Sequence, residues 1–258
     1  MSTALITGAS SGVGYHYAIQ FAERKYNLVI VSNEQSINDV AAEISDKYKV
    51  TVWPLCINLA DTDAARRLFE YCQANNIEIE ILISNAGIFF FKEFNDASDD
   101  VISTMTLLHV YTPTMLCKLF GNEMKKRRRG NILIMSSLSA WTPYPGISTY
   151  AVSKRYLKDF GRVYHHEMKR YGVGVTTICP GAINTGILPL DNRKRKIAMS
   201  LGVMSTPEKI AKKALRAMFR NRICVVPGLL NKIAVPIVMI LPIWAIRGML
   251  HKMLSNPD

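Results

Sequence analysis

The stretch that decides the fold is Thr7-Gly8-Ala9-Ser10-Ser11-Gly12-Val13-Gly14, which completes the short apolar run Ala4–Thr7. Glycines let a backbone turn tightly after a strand. A helix that starts in such a turn presents N–H groups and the positive end of its dipole to an anion. The pattern therefore predicts a strand, a turn and a helix that bind the pyrophosphate of a dinucleotide. A tight turn without a ligand is the alternative that this stretch alone leaves open.

Short runs rich in Val, Ile and Leu recur along the chain and alternate with longer helical patterns. Together with Ala4–Thr7 they are Leu28–Ser32, Val50–Cys56, Ile79–Ser84, Asn131–Ser136, Val173–Cys179 and Ile223–Val226. Nearly continuous apolar runs are typical of parallel strands that helices cover on both faces. The chain is therefore predicted to be α/β, with a doubly wound, Rossmann-type, mostly parallel seven-stranded sheet. Ligands of such sheets bind beyond the carboxyl ends of the strands.

Short motifs of polar and turn-forming residues lie at or just after the ends of three of these runs. They are Ser84-Asn85-Ala86-Gly87, Ser137 and Pro180-Gly181. Tyr150 and Lys154 follow on a predicted helix, where their spacing places them on one face. A free tyrosine has a pKa of about 10, and an ammonium group beside it favours the phenolate. We therefore expect Lys154 to lower the pKa of Tyr150, which makes Tyr150 a candidate general acid and base.

In this order, the motifs resemble those of the short-chain dehydrogenase/reductase family, and most closely its 3-oxoacyl and hydroxysteroid reductase branches. The resemblance covers about residues 1–227. It implies an oxidoreductase that interconverts a ketone and a secondary alcohol with a nicotinamide cofactor. Tyr150 would give a proton to the carbonyl oxygen as hydride reaches the carbon, while Ser137 hydrogen-bonds that oxygen and Lys154 holds the nicotinamide ribose.

The resemblance also implies the cofactor-binding residues. They are Gly8, Ser10, Ser11, Gly12, Val13, Gly14, Ser32, Asn33, Asn58, Leu59, Asn85, Ala86, Gly87, Tyr150, Lys154, Pro180, Gly181, Ile183 and Thr185. No metal site is predicted.

His109 stands where the family usually has a fourth catalytic residue, an asparagine. In the family that asparagine helps to hold a water that connects the lysine to solvent. A histidine has two ring nitrogens and a pKa of about 6.5, so it could hold the water or carry the proton itself. A packed histidine with no role is the alternative.

The choice between NAD(H) and NADP(H) as cofactor depends on the end of the second strand, Val31-Ser32-Asn33-Glu34. Enzymes that use NAD commonly place a carboxylate there to accept the ribose hydroxyls, and NADP enzymes place an arginine nearby. Ser32 takes the position of the acid and Asn33 that of the arginine, so neither signature is complete. The missing acid and the positive charge of the chain favour NADP(H). Asn58 replaces a family aspartate that contacts adenine, and its amide oxygen can still accept a hydrogen bond.

The amino-acid composition is that of a globular protein. The 258 residues are 49% hydrophobic and 20% charged, which excludes a disordered or disulfide-stapled chain. Five scattered cysteines indicate buried free thiols in a reducing compartment. The first strand begins at about Thr3, which leaves no room for a signal peptide, so we expect a cytoplasmic protein.

The net charge of +12 attracts anions of any kind. Its densest block, residues 125–129, is predicted to lie at the end of a helix, where cations favour the helix dipole. No aromatic or loop motif accompanies this block, so we expect no nucleic-acid partner.

We divide the chain into a catalytic domain, residues 1–228, and an apolar, basic extension of that domain, residues 229–258. The longest apolar run, Ile233–Ile246, contains Pro236 and Pro242 and is shorter than the roughly 18 apolar residues that a membrane span needs. The extension is expected to cover a hydrophobic substrate cleft, with a subunit contact and a membrane surface ranked behind.

The expected partners are a small carbonyl or alcohol substrate and a second copy of the chain. The family resemblance implies a homodimer or homotetramer formed through the helices around Leu107 and Tyr150. Two rival functions stay open. One is a non-catalytic dinucleotide-binding protein, and the other is a peripheral membrane protein.

Overall fold

The structure is a computed structural model that describes residues 2–141, 145–184, 199 and 204–240. Its strands are β1 (Thr3–Thr7), β2 (Asn27–Ser32), β3 (Val52–Cys56), β4 (Ile79–Ser84), β5 (Gly130–Met135), β6 (Val173–Ile178), β7 (Ala182–Ile183), β8 (Met204–Ser205) and β9 (Cys224–Val225). The main sheet has seven strands in the order β3-β2-β1-β4-β5-β6-β9. All neighbours in it are parallel. The predicted doubly wound sheet is confirmed, and the short pair β7-β8 was not predicted.

The structure defines the bounds of eight α-helices. They are α1 (Gly12–Glu23), α2 (Ile37–Tyr48), α3 (Ala64–Ala74), α4 (Asp99–Thr106), α5 (Thr112–Arg127), α6 (Ser148–Lys169), α7 (Pro207–Phe219) and α8 (Leu229–Ile240). One core cluster joins α1, α2 and α7 to the sheet. The other joins α3, α5 and α6 to the opposite face.

Continuous apolar strands follow from this arrangement because both faces of the central strands are covered. Ile6 belongs to the core beneath α1, whereas its neighbour Leu5 belongs to the core beneath α3 and α5. Neither side chain is exposed to solvent. A strand with one solvated face would instead show alternating polar residues.

The strand order reverses between β1 and β4. The chain builds β1, β2 and β3 outward in one direction and then returns to add β4 on the other side of β1. Such a reversal opens a crevice at the carboxyl ends of the two central strands. The glycine turn after β1 and the Asn85-Ala86-Gly87 turn after β4 both begin at that crevice.

The cysteines agree only in part with their prediction. All five are free, and Cys72, Cys117 and Cys179 are buried, as expected. Cys56 is exposed and Cys224 is partly exposed, which corrects the expectation that all are buried. The reason is position, since Cys56 ends β3 and Cys224 begins β9, the two outermost strands of the sheet.

The basic block lies where the sequence predicted it, at the end of α5. The helix ends at Arg127, and Arg128 adopts a left-handed conformation with φ of 56°. Arg127 and Arg129 each pair with Glu78, at 3.4 and 3.2 Å. Part of the block is therefore engaged with acidic side chains rather than fully solvated.

Among the helices in the described ranges, none has both the length and the hydropathy to cross a membrane.

Candidate active site

The turn between β1 and α1 depends on its glycines. Gly8 and Gly12 have φ values of 67° and 58°, a region that favours glycine. A Cβ on Gly14 would collide with the carbonyl oxygen of Gly8. The backbone N–H groups of Gly8 and Ala9 donate to the Val31 carbonyl, which ties the turn to β2. The result is an open backbone cradle at a helix N-terminus, which fits a phosphate group.

The Asn85-Ala86-Gly87 turn is bonded to the same cradle. Asn85 Nδ2 donates to the carbonyls of Thr7, at 2.9 Å, and Gly8, at 3.2 Å. The Thr7 hydroxyl accepts from the backbone N–H groups of Asn85 and Ala86. These bonds hold the ends of β1 and β4 together, so the two predicted motifs form one unit.

The end of β2 lies beside this unit. The Ser32 hydroxyl is buried and donates to Ser10 Oγ at 3.0 Å. It also accepts the backbone N–H of Glu34 at 3.2 Å. Asn33 and Glu34 are exposed. Ser32 therefore ties the end of β2 to the glycine turn.

Asn58 and Leu59 lie after β3 and are placed differently from each other. Asn58 is exposed, and its side-chain oxygen accepts the backbone N–H of Ala60 at 3.1 Å. Its amide nitrogen donates to Asp61 at 3.0 Å. Leu59 is buried, and its carbonyl accepts from Thr112 Oγ1. The oxygen that was expected to accept from adenine is thus already engaged within its own turn.

Ser137, Tyr150 and Lys154 come together at the ends of β5 and β6. Ser137 follows β5, and its hydroxyl oxygen accepts the backbone N–H of Ser139. Tyr150 lies in the first turn of α6, with Lys154 one turn later. The Nζ atom of Lys154 lies 5.6 Å from the centre of the Tyr150 ring and donates to the Met135 carbonyl at 3.3 Å. The structure thus brings the predicted catalytic set together.

Burial dominates the electrostatics of this set. It raises the pKa of Tyr150, and a hydrogen bond from Ser137 opposes that rise. It also lowers the pKa of Lys154 to about 8. The pKa of Tyr150 is therefore raised overall, which corrects the expectation of a lowered value. The physical reason is that burial of the phenol outweighs the groups that favour the phenolate.

Aromatic rings cover one side of Tyr150. The Phe89 ring packs edge-to-face against it with the centroids 4.9 Å apart. Phe91 follows on the same segment and is 46% exposed. A Cβ on Gly146 would lie 2.7 Å from the Phe91 ring, so that glycine lets the ring pack against the segment that leads into α6. The sequence reasoning did not single out these phenylalanines.

His109 is completely buried beside Tyr150, with ring centroids 5.7 Å apart. Its Nε2 atom accepts the backbone N–H of Ile88 at 3.1 Å. Its Nδ1 atom lies 3.0 Å from Ser153 Oγ. Both ring nitrogens are therefore engaged by protein atoms. Ser153 and Ile88 had no motif that would have predicted these contacts.

The turn after β6 lies beside the segment that contains Ser137. The Pro180 carbonyl accepts the backbone N–H of Leu138, which joins this turn to the segment that contains Ser137. A Cβ on Gly181 would lie 2.7 Å from the side chain of Asn231, so the start of α8 packs against the turn. Ile183 lies in β7, and the predicted contact residue Thr185 lies outside the described residues.

No group of three His, Cys, Asp or Glu side chains with metal-binding geometry occurs in the part of the chain that the structure describes.

Comparison with known proteins gives a consistent match. A sequence model described as short chain dehydrogenase matches residues 2–196. A very-long-chain 3-oxoacyl-CoA reductase of Phaeosphaeria nodorum is 28% identical over 228 residues, which cover 84% of this chain and 63% of that protein. The inactive hydroxysteroid dehydrogenase-like protein 1 of Homo sapiens is 27% identical over 194 residues, which cover 73% of this chain and 58% of that protein.

The first curated relatives are longer than this chain. The matches cover between 39% and 63% of their lengths. Among solved structures, a short-chain dehydrogenase from Sphingobium yanoikuyae in complex with NADPH superimposes with a TM-score of 0.80 at 24% identity, over 100% of this chain and 97% of that one. At this level of identity the superposition shows a common fold.

Proposed function

The chain belongs to the short-chain dehydrogenase family, and we propose that it interconverts a ketone and a secondary alcohol by hydride transfer with NADP(H). The observation that carries the proposal is the placement of Tyr150. The phenol lies beside Lys154 and Ser137 at the same edge of the sheet as the glycine cradle. A proton donor and a phosphate cradle at one crevice are what carbonyl reduction by a dinucleotide requires.

The residues that would hold the dinucleotide are those of the cradle and of its neighbouring turns. They are Gly8, Ser10, Ser11, Gly12, Val13, Gly14, Asn85, Ala86 and Gly87, with Ser32 and Asn33 near the adenosine ribose. The fit rests on the positive φ values and on the close approach at Gly14. When bound, the nicotinamide supplies or accepts the hydride.

A preference for NADP(H) is supported by the missing carboxylate at Ser32. A carboxylate at that position would repel a ribose phosphate, whereas a buried hydroxyl does not. The net charge of +12 adds a general attraction for the additional phosphate.

The chemistry of the chain's own residues is general acid catalysis with electrostatic support. Tyr150 gives its proton to the substrate oxygen in reduction and takes one back in oxidation. Ser137 donates a hydrogen bond to the same oxygen, which stabilises the charge that develops there. With a pKa of about 8, Lys154 is mostly protonated at neutral pH, and its charge stabilises the phenolate that reduction leaves behind.

The substrate is proposed to be lipophilic. Phe89 packs against the catalytic phenol and Phe91 lies exposed on the same segment, so the wall next to the proton donor is aromatic. Burial of apolar ligand surface against aromatic side chains contributes favourable binding free energy. The start of α8 lies at the same site, since Asn231 packs against Gly181.

A homodimer is proposed through the outer face of α6. Val152 and Val163 are 64% and 60% exposed there, and Tyr156 is also exposed. Single exposed apolar residues are ordinary, but several along one helix face indicate a contact surface. A sedimentation measurement that finds only monomers at micromolar concentration would contradict this assignment.

Contact with a membrane surface is a second candidate role, and the exposure of α8 favours it. Leu229, Leu230 and Ile233 are 74%, 49% and 51% exposed, and Lys232 lies among them. A basic helix with exposed leucines gains from burial and from anionic lipid. Sedimentation with vesicles of anionic and of neutral lipid tests it, and absence from both pellets would contradict it.

The experiment that tests the proposed function is a panel of ketones and secondary alcohols, each assayed with NADPH, NADH and their oxidised forms. We expect turnover of ketones that carry bulky apolar groups, with NADPH as the better reductant. Binding of NADPH without turnover across the whole panel would favour the non-catalytic alternative.

A further inference from the structure

His109 lies in a widened turn of the polypeptide at the centre of the site. Residues Leu107–Tyr111 form a π-helical turn, in which the N–H of Thr112 donates to the Leu107 carbonyl five residues earlier. Such turns are rare and occur often at functional sites. The imidazole is completely buried among Gly87, Tyr150 and Lys154.

The hydrogen bonds determine where the proton of His109 resides. The Ile88 backbone N–H can only donate, so Nε2 must be an unprotonated acceptor at 3.1 Å. The proton of the neutral ring is then on Nδ1, which donates to Ser153 Oγ at 3.0 Å. The Ser153 hydroxyl in turn donates to the Tyr150 carbonyl at 2.8 Å. All three bonds run in one direction, from Ile88 to Tyr150.

The surroundings favour the neutral ring. Burial lowers the pKa of His109 well below its ordinary value, and the nearby Lys154 lowers it further. Of the residues that the structure describes, Lys154 and Tyr150 are titratable groups that face the ring from α6. If His109 carried a proton between groups, Nε2 would have to accept it, and the bond from Ile88 would be lost.

We propose that His109 is a positioning residue, which fixes the first turn of α6 against the segment that follows Asn85-Ala86-Gly87. This inference rests on the proposed function. Ile88 directly follows the turn that is bonded to the cradle, and Ser153 holds the backbone of Tyr150. His109 thus sets the distance between the phosphate cradle and the proton donor. It neither relays protons nor holds a water, because both its nitrogens are bonded to protein.

Gly87 shows how closely the His109 ring approaches the Asn85-Ala86-Gly87 turn. A Cβ on Gly87 would lie 2.8 Å from His109 Nε2 and 3.4 Å from Lys154 Nζ. The amide of an asparagine ends one bond nearer the backbone than Nε2 of an imidazole, which is the atom that accepts from Ile88. The histidine is therefore suited to bridge the two segments directly.

The first test needs no turnover and so separates this inference from the proposed function. Protein labelled with nitrogen-15 and carbon-13 in histidine is examined by NMR, and the His109 signals are assigned by their loss in His109→Asn. We expect the Nδ1-protonated neutral form, unchanged between about pH 8 and pH 5.5. An Nε2-protonated ring, or a titration near pH 6.5, would overturn the assignment.

The second test compares turnover in His109→Ala, His109→Asn and Ser153→Ala, with His165→Ala as a matched control. His165 is another buried histidine on α6, with its Nδ1 bonded to the Val175 carbonyl at 2.7 Å. We expect His109→Ala to lower kcat about 10- to 100-fold, since small displacements of a catalytic group cost this much. His109→Asn, which keeps a donor to Ser153, should recover part of the loss.

Two further readouts decide the second test. The shape of the pH profile of kcat should be the same in His109→Ala and the parent, and the effects of His109→Ala and Ser153→Ala should not add in the double variant. A pH profile that loses an ionisation would indicate a relay and overturn the proposal. A kcat within about twofold of the parent, or a loss no larger than that of His165→Ala, would indicate simple packing and would also overturn it.

Discussion

Lys154 Nζ donates to the Met135 carbonyl at 3.3 Å while it lies 5.6 Å from the centre of the Tyr150 ring. The ammonium is thus held between a strand end and the Tyr150 ring, away from solvent. Burial lowers its pKa to about 8. The protein therefore holds the charge that the proposed reaction needs at a cost in stability.

The first prediction is that Lys154→Met stabilises the protein at neutral pH and loses this advantage in alkaline solution. In the parent, the unfolded chain binds more protons than the folded one between about pH 8 and pH 10.5, so the parent gains stability as pH rises through that window. The difference in the free energy of unfolding between variant and parent should shrink by on the order of 3 kcal/mol as the pH rises through this window.

The measurement is urea unfolding of both proteins at about pH 7 and pH 10.5. Lys118→Met, which removes an exposed lysine from α5, controls for the loss of one charge. A difference in the free energy of unfolding between Lys154→Met and the parent that is the same at both pH values would contradict the burial of the Lys154 ammonium.

The second prediction concerns Ser32. Ser32→Asp should shift the preference between NADH and NADPH toward NADH by about tenfold or more, because the carboxylate accepts ribose hydroxyls and repels a ribose phosphate. The present hydrogen bonds to Ser10 and to the Glu34 N–H place the new carboxylate at the turn. Direct titration with both dinucleotides measures the shift. Ser36→Asp adds the same charge at an exposed position nearby, and an equal shift in that control would argue against a specific contact.

The third prediction concerns the aromatic wall. Phe89→Ala should lower kcat/KM for a bulky aryl ketone about tenfold and leave a small ketone nearly unaffected, because the larger substrate loses apolar contact. Phe160→Ala removes a ring that packs between Tyr156 and Tyr164 instead and serves as the control. Equal losses for both ketones would show that Phe89 orients Tyr150 rather than lining the substrate site.

The sheet, and the grouping of Ser137, Tyr150 and Lys154 at one edge of it, could be predicted from the sequence because their signals are local. The glycines at 8, 12 and 14 meet a steric requirement of one turn, and continuous apolar runs reveal strands covered on both faces. Strand ends differ from expectation by at most two residues, and Ile79–Ser84 agrees at both ends. The carboxyl ends of parallel strands then lie at one edge, whatever the details of packing.

The surroundings of these residues could not be found in this way. Phe89 and His109 meet Tyr150 from distant segments, and Asn231 reaches Gly181 from α8. Such contacts depend on how helices pack, which no spacing rule encodes. The direction of the pKa shift of Tyr150 was missed for the same reason, since burial is a property of the folded protein.

The role of Tyr150 is tested most directly by the rate of a single hydride transfer in Tyr150→Phe. The variant is preloaded with NADPH and mixed with a reducible ketone in a stopped-flow instrument, and Tyr156→Phe controls for loss of a hydroxyl elsewhere on α6. The account predicts a rate about a thousandfold below the parent, with an NADPH Kd within about threefold, because only the proton donor is removed. A rate within about tenfold of the parent would contradict the assignment of Tyr150 as the general acid.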